Sequence, residues 1–86
     1  MELQKRFEEA VSNSKSLSSR PSNDVMLQLY SLYKQATVGD ATDSDQPQNS
    51  FDFVGKAKYN AWSDQKGKSK DDAMRAYIHL VQKLQS

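Results

Sequence analysis

Ser69-Lys70-Asp71-Asp72-Ala73-Met74-Arg75-Ala76-Tyr77-Ile78-His79-Leu80-Val81-Gln82-Lys83-Leu84 decides the fold. Ser69 followed three residues later by Asp72 has the form of a capping box, and behind it Ala73, Met74, Tyr77, Ile78, Val81 and Leu84 recur at helical spacing on one face. This spacing predicts an amphipathic helix that needs partners for its apolar stripe. Upstream, Val25, Leu29, Leu32 and Ala36 repeat the pattern, with Met26, Tyr30, Tyr33 and Thr37 on the adjoining face. Ser22 is placed to cap this second helix and Gly39 to stop it.

Leu3, Phe7, Ala10, Val11 and Leu17 mark an earlier helix from about Leu3 to Leu17, with Ser14 interrupting its stripe. Ser18-Ser19-Arg20-Pro21-Ser22 then breaks the chain, because proline removes a donor and biases its predecessor away from the helical region. Residues 40–50 are polar and aperiodic and contain Pro47, so a long exposed connection ordered by its neighbours is expected. Phe53, Val54, Ala57, Ala61 and Trp62 mark a shorter helix ending near Gly67. Four helices without strand signal or repeat give an all-α four-helix bundle.

With 86 residues there is room for one core, hence for one domain over residues 1–86. Only 36% of residues are apolar, so the core comes from one face of each helix. Twelve Lys and Arg against 11 Asp and Glu leave a net charge of +1, which argues against nucleic-acid binding by bulk electrostatics. Any anion site must be local. Without cysteine there can be no disulfide, thiolate nucleophile or cysteine-ligated zinc. No apolar run follows the N-terminal charges and none approaches a membrane span, so a soluble, cytoplasmic monomer without stable membrane insertion is expected.

Tyr30, Tyr33 and Lys34 lie at i, i+3 and i+4, where two phenol rings and an ammonium could form a nucleotide platform. On spacing alone the plainer reading carries more weight: the tyrosines close the bundle edge and Lys34 is solvated. Gly55-Lys56-Ala57-Lys58 puts two cations near a helix start that favours anions, yet lacks the spaced glycine and Ser or Thr of a phosphate loop. Tyr77 reads most simply as core with its hydroxyl at the rim. Asp40, Thr42 and Ser44 open like a calcium loop, but Asp45 stands where glycine is required and Phe51 where a bidentate glutamate is required. His79 has no second histidine to form a metal site and reads as a residue at the core boundary.

Taken together, Met26-Leu27 through Tyr30, Tyr33-Lys34-Gln35-Ala36-Thr37-Val38-Gly39-Asp40, Gly55-Lys56-Ala57-Lys58 and Ala73-Met74-Arg75-Ala76-Tyr77 closely resemble the acyl-CoA-binding protein family. The resemblance spans essentially the whole chain, and the octet beginning at Tyr33 is its most specific part. It implies a bundle of up-down-down-up type that carries long-chain acyl-CoA as ligand, with no catalytic residue, cofactor or metal. It further implies Tyr33 stacking on adenine, Tyr30, Lys34 and Lys58 around the 3′-phosphate, and Tyr77 against the nucleotide or pantetheine. Lys15 would reach the polar end of the ligand, and Met26 and Leu27 would line the acyl groove.

The chain departs from the family pattern at Tyr59, usually Trp, and at Val54, often Lys. Ser14 and Gln65 fall at positions usually apolar, and the connection from Gly39 to Gly55 is slightly longer. Two other functions compete with a carrier. A thioesterase would need a nucleophile or activated water beside a general base, and no Gly-x-Ser-x-Gly elbow is present. A helical protein-interaction domain would instead turn its tyrosines toward a partner.

Overall fold

The computed structural model describes residues 2–85. Its helices are α1 (Glu2–Ser14), α2 (Asn23–Thr37), α3 (Phe53–Ser63) and α4 (Lys70–Gln85), with a single 3-10 turn at Asp43–Asp45. No strand occurs among the described residues.

α4 is the central element, with both α1 and α2 packed on it and α3 packed on α2. Ser69 caps α4 by accepting from the Asp72 amide at 3.0 Å. The Asp72 carboxylate does not complete a capping box but pairs with Arg75 Nη1 at 2.9 Å. Ala73, Met74, Tyr77, Ile78 and Val81 are buried, Leu84 packs at the margin, and His79 lies exposed rather than at the core boundary. The core is completed by Phe7 and Ala10 of α1 and by Leu29, Leu32 and Ala36 of α2.

α1 ends at Ser14, short of the expected Leu17. The Ser14 hydroxyl donates to the Val11 carbonyl at 2.7 Å, the acceptor that the Lys15 amide would use to continue the helix. Lys15 N bonds Ser12 O at 3.2 Å instead, and the tightened turn ends the helix.

α2 starts and stops as its sequence predicts. Ser22 Oγ accepts from the Val25 amide at 3.3 Å, and both Val38 N and Gly39 N bond the Lys34 carbonyl, at 2.8 and 3.2 Å. Gly39 has φ of +101°, a conformation that side chains disfavour.

The 38–52 connection has local order of its own. Thr42 and Asp45 form a reciprocal capping box, the Thr42 amide donating to Asp45 Oδ2 at 2.8 Å, and Ala41 is buried. Asp45, which stands where a calcium loop requires glycine, thus serves as a turn cap, and Asp40 accepts from Gln35 and from the Gly67 amide. Trp62 Nε1 donates to the Gly39 carbonyl at 2.8 Å and pins the start of the connection to α3. Buried Gln35 ties α2 to the α3–α4 turn, its Nε2 donating to Asp40 Oδ1 and to the Lys68 carbonyl, both at 2.7 Å. Gln65, at a position usually apolar, donates to Ser31 Oγ at 3.2 Å across the same seam.

Candidate functional site

α3 begins at Asp52, whose Oδ1 accepts from the Gly55 amide at 2.9 Å. A Cβ at residue 55 would meet that carboxylate, so a larger residue there would require the Asp52 side chain to move from its capping position. Because α3 packs mainly on α2, its first turn finds no core: Phe53 and Val54 remain 71% and 68% exposed, and Trp62 alone of the helix is buried. The helix ends at Ser63, short of the expected Gly67.

The unsatisfied apolar surface faces α2 across an open groove of about 620 Å³. Met26 and Leu27 line it from α2, and Phe53, Val54 and Ala57 from α3. Tyr30 and Lys58 line it toward the C-terminal part of α2, Arg20 and Asn23 toward the helix start.

Two aromatic–cation pairs join the helices at and beyond this groove. The Lys58 ammonium of α3 lies 5.2 Å from the centre of the Tyr30 ring of α2, and the Lys34 ammonium of α2 lies 4.9 Å from the ring centre of Trp62 of α3. Each helix thus supplies one ring and one cation four residues apart, and the pairing order shows that α2 and α3 run in the same direction. That is the parallel middle pair of an up-down-down-up bundle. Among the described residues neither ammonium makes an ion pair. Lys34 acts through space on Asp45, whose carboxyl is held below the ordinary aspartate value mainly by the Thr42 amide.

Tyr33, one turn on from Tyr30, reaches toward α1. It stacks on Phe7 with ring centres 6.0 Å apart, and Phe7 meets Tyr77 edge-on at 5.3 Å. Tyr77 is buried, and its hydroxyl donates to Ser14 Oγ at 3.1 Å. Burial raises its phenol above the ordinary tyrosine value, the Ser14 hydrogen bond opposes this, and Tyr33 adds to it; the group stays a neutral donor. Ser14, a departure from the resembled pattern, is the hydroxyl acceptor that a buried phenol requires.

Of the residues expected at the site, Met26, Leu27, Tyr30 and Lys58 line one groove and Lys34 follows one turn beyond Tyr30. Tyr33 and Tyr77 belong to an aromatic row through Phe7, and Lys15 sits exposed just past the end of α1, next to Ser14. Sequence reasoning missed Phe7 as the link between the tyrosines and Trp62 as the ring under Lys34. The second had a signal: Trp62 follows Lys58 by four residues, as Lys34 follows Tyr30. Among the described residues no group of three or more His, Cys, Asp or Glu side chains could hold a metal. Tyr59 lies on another surface, lining a small cavity with Gln46 and Pro47.

An open apolar groove that ends in cations held over aromatic rings defines a small helical binding protein for an amphipathic, anionic ligand. Residues 4–81 match the family described as acyl CoA binding protein. The chain is 51% identical over 78 residues to acyl-CoA-binding protein homolog 1 of Caenorhabditis elegans, covering 91% of this chain and 88% of that protein. It is 46% identical to the acyl-CoA-binding protein of Saccharomyces cerevisiae, covering 91% and 87%. Among solved structures, the Oryza sativa acyl-CoA-binding protein 2 superposes with a TM-score of 0.87 at 44% identity, covering 95% of this chain and 89% of that one. The chain belongs to the acyl-CoA-binding protein family.

Proposed function

We propose that residues 1–86 act as a single domain that binds long-chain acyl-CoA and carries it in the cytoplasm as a monomer, forming an intracellular pool without chemistry on the ligand. The acyl chain lies between α2 and α3 against Met26, Leu27 and the exposed start of α3. The nucleotide head sits on Tyr30, Tyr33, Lys34 and Lys58, with Tyr77 behind it and Lys15 at its polar edge. The carrying observation is the continuity of the apolar groove with the Tyr30–Lys58 pair, because the ligand joins an alkyl chain to a phosphomonoester bearing roughly two negative charges near neutral pH. Each methylene buried contributes about 0.8 kcal/mol, which separates long esters from free coenzyme A. The lining is apolar, aromatic, amide or cationic, which favours holding a thioester over hydrolysing it.

The test is a cycle in which the ligand is one partner. By calorimetry, 3′-dephospho esters should bind about 2 kcal/mol more weakly than their parents through loss of charge-assisted hydrogen bonds. Lys34→Ala should weaken the parent ester strongly and the dephospho ester little, since the contact it removes is already missing there. Equal losses on both esters would remove Lys34 from the phosphate site. Release of free thiol from palmitoyl-CoA would overturn the carrier reading in favour of a thioesterase.

A further inference from the structure

The two lysines of the anion site differ in what holds them. Lys58 is exposed and rests on Tyr30, itself part of the groove lining. Lys34 is half-buried and rests on Trp62, which is 4% exposed and whose indole is fixed at its other edge by the bond from Nε1 to the Gly39 carbonyl. That carbonyl belongs to the residue whose amide bonds the Lys34 carbonyl, so the backbone that ends α2 also orients the ring beneath the Lys34 side chain. The indole sits 4.9 Å from the ammonium. A cation over a ring keeps its remaining N–H donors turned outward, and a four-carbon stem held in one place loses less freedom on meeting an anion.

We propose that Trp62 is a positioning residue of the phosphate site: its indole face holds the Lys34 ammonium in the place where a phosphomonoester meets it, while the ring itself does not touch the ligand. The inference rests on the assignment of Lys34 to the phosphate. Trp62 therefore contributes to the discrimination between a ligand with and without that phosphate, which a purely structural tryptophan does not do. Trp62→Phe keeps a π face but loses the bond to Gly39; Trp62→Leu keeps apolar bulk and loses the face.

The experiment measures binding of dodecanoyl-coenzyme A and its 3′-dephospho analogue to the wild-type chain and both variants, with proton shifts of the Lys34 ε-methylene recorded alongside. In the wild type those protons are expected upfield, from the ring current of Trp62, in both the free and the bound protein. Trp62→Leu should lower the ratio of the two affinities by about three- to fivefold, as expected for one partly buried cation–π contact. Trp62→Phe should retain most of that ratio even where it lowers stability. Equal discrimination by wild type and Trp62→Leu overturns the inference alone, as does an unshifted Lys34 in the wild type, a measurement that stands even if the leucine variant does not fold. Absence of discrimination in the wild type overturns the Lys34 assignment and this inference together.

Discussion

Ser14→Ala and Tyr77→Phe test whether the buried hydroxyl pair between α1 and α4 is one unit. Tyr77 is 4% exposed, and its hydroxyl donates to Ser14 Oγ at 3.1 Å. Removing the serine oxygen leaves a buried phenol donor without its acceptor, at about 1–3 kcal/mol. Against this, alanine favours helix by a few tenths of a kcal/mol, and the freed Val11 carbonyl can accept from Lys15, so the net cost should be about 1–2 kcal/mol. Tyr77→Phe strands nothing, because Ser14 keeps its bond to the Val11 carbonyl, and should cost about 1 kcal/mol. The double variant contains neither the orphaned donor nor the pair, so it should be close to Tyr77→Phe alone, giving a coupling of about 1 kcal/mol or more. Urea denaturation of the four proteins measures it directly. Additivity within about 0.3–0.5 kcal/mol would show that the two hydroxyls are independent and that Ser14 does not serve Tyr77.

Tyr59→Phe should change acyl-CoA affinity by less than about twofold, since Tyr59 lines a separate cavity with Gln46 and Pro47 and not the groove; a tenfold loss in calorimetry, about 1.4 kcal/mol, would place its phenol on the ligand. Asp40 predicts the acid limb of stability. Its carboxyl is held below the ordinary value by the Gly67 amide and then by Gln35, so its contribution is complete above the unfolded pKa of about 3.9 and is lost as pH falls through the lower folded value. Asp40→Asn keeps an acceptor oxygen but cannot titrate, so its denaturation midpoint should fall less steeply than the wild type's below about pH 4; parallel curves would remove Asp40 from the acid transition.

Legibility in the sequence followed the kind of force involved. α2 and α4 were readable because burial imposes a period on side chains, and their caps because Ser22, Gly39 and Ser69 are chemically suited to chain ends. The end of α1 was misjudged because the apolar stripe continues to Leu17, while the helix stops through competition of a serine hydroxyl for one carbonyl. The polar connection reads as ordered by its neighbours, an order that the bond from a tryptophan 23 residues beyond Gly39 supplies, while the Thr42–Asp45 cap adds local order that no apolar period announces. At the site, spacing alone left Tyr30, Tyr33 and Lys34 as an ambiguous surface, and it was the family resemblance that drew Lys58 to them. The exchange of rings and cations between two helices is a property of their relative direction, which periodicity does not encode.

That direction also accounts for the groove. Parallel neighbours cannot be joined by a tight turn, so the chain needs the long 38–52 connection, and α3 is delivered to the outer side of α2 rather than to α4. There Trp62 can reach a buried position, while Phe53 and Val54 at the other end cannot. A helix with two-sided packing would bury them and close the groove. The apolar surface left open is thus a consequence of the topology and costs the free protein part of its hydrophobic stabilisation, which at about 25 cal/mol per Å² is substantial for two large side chains. In the proposed complex the alkyl chain supplies the missing layer, so binding completes the packing of α3, and the same surface that weakens the free bundle provides the affinity for long chains.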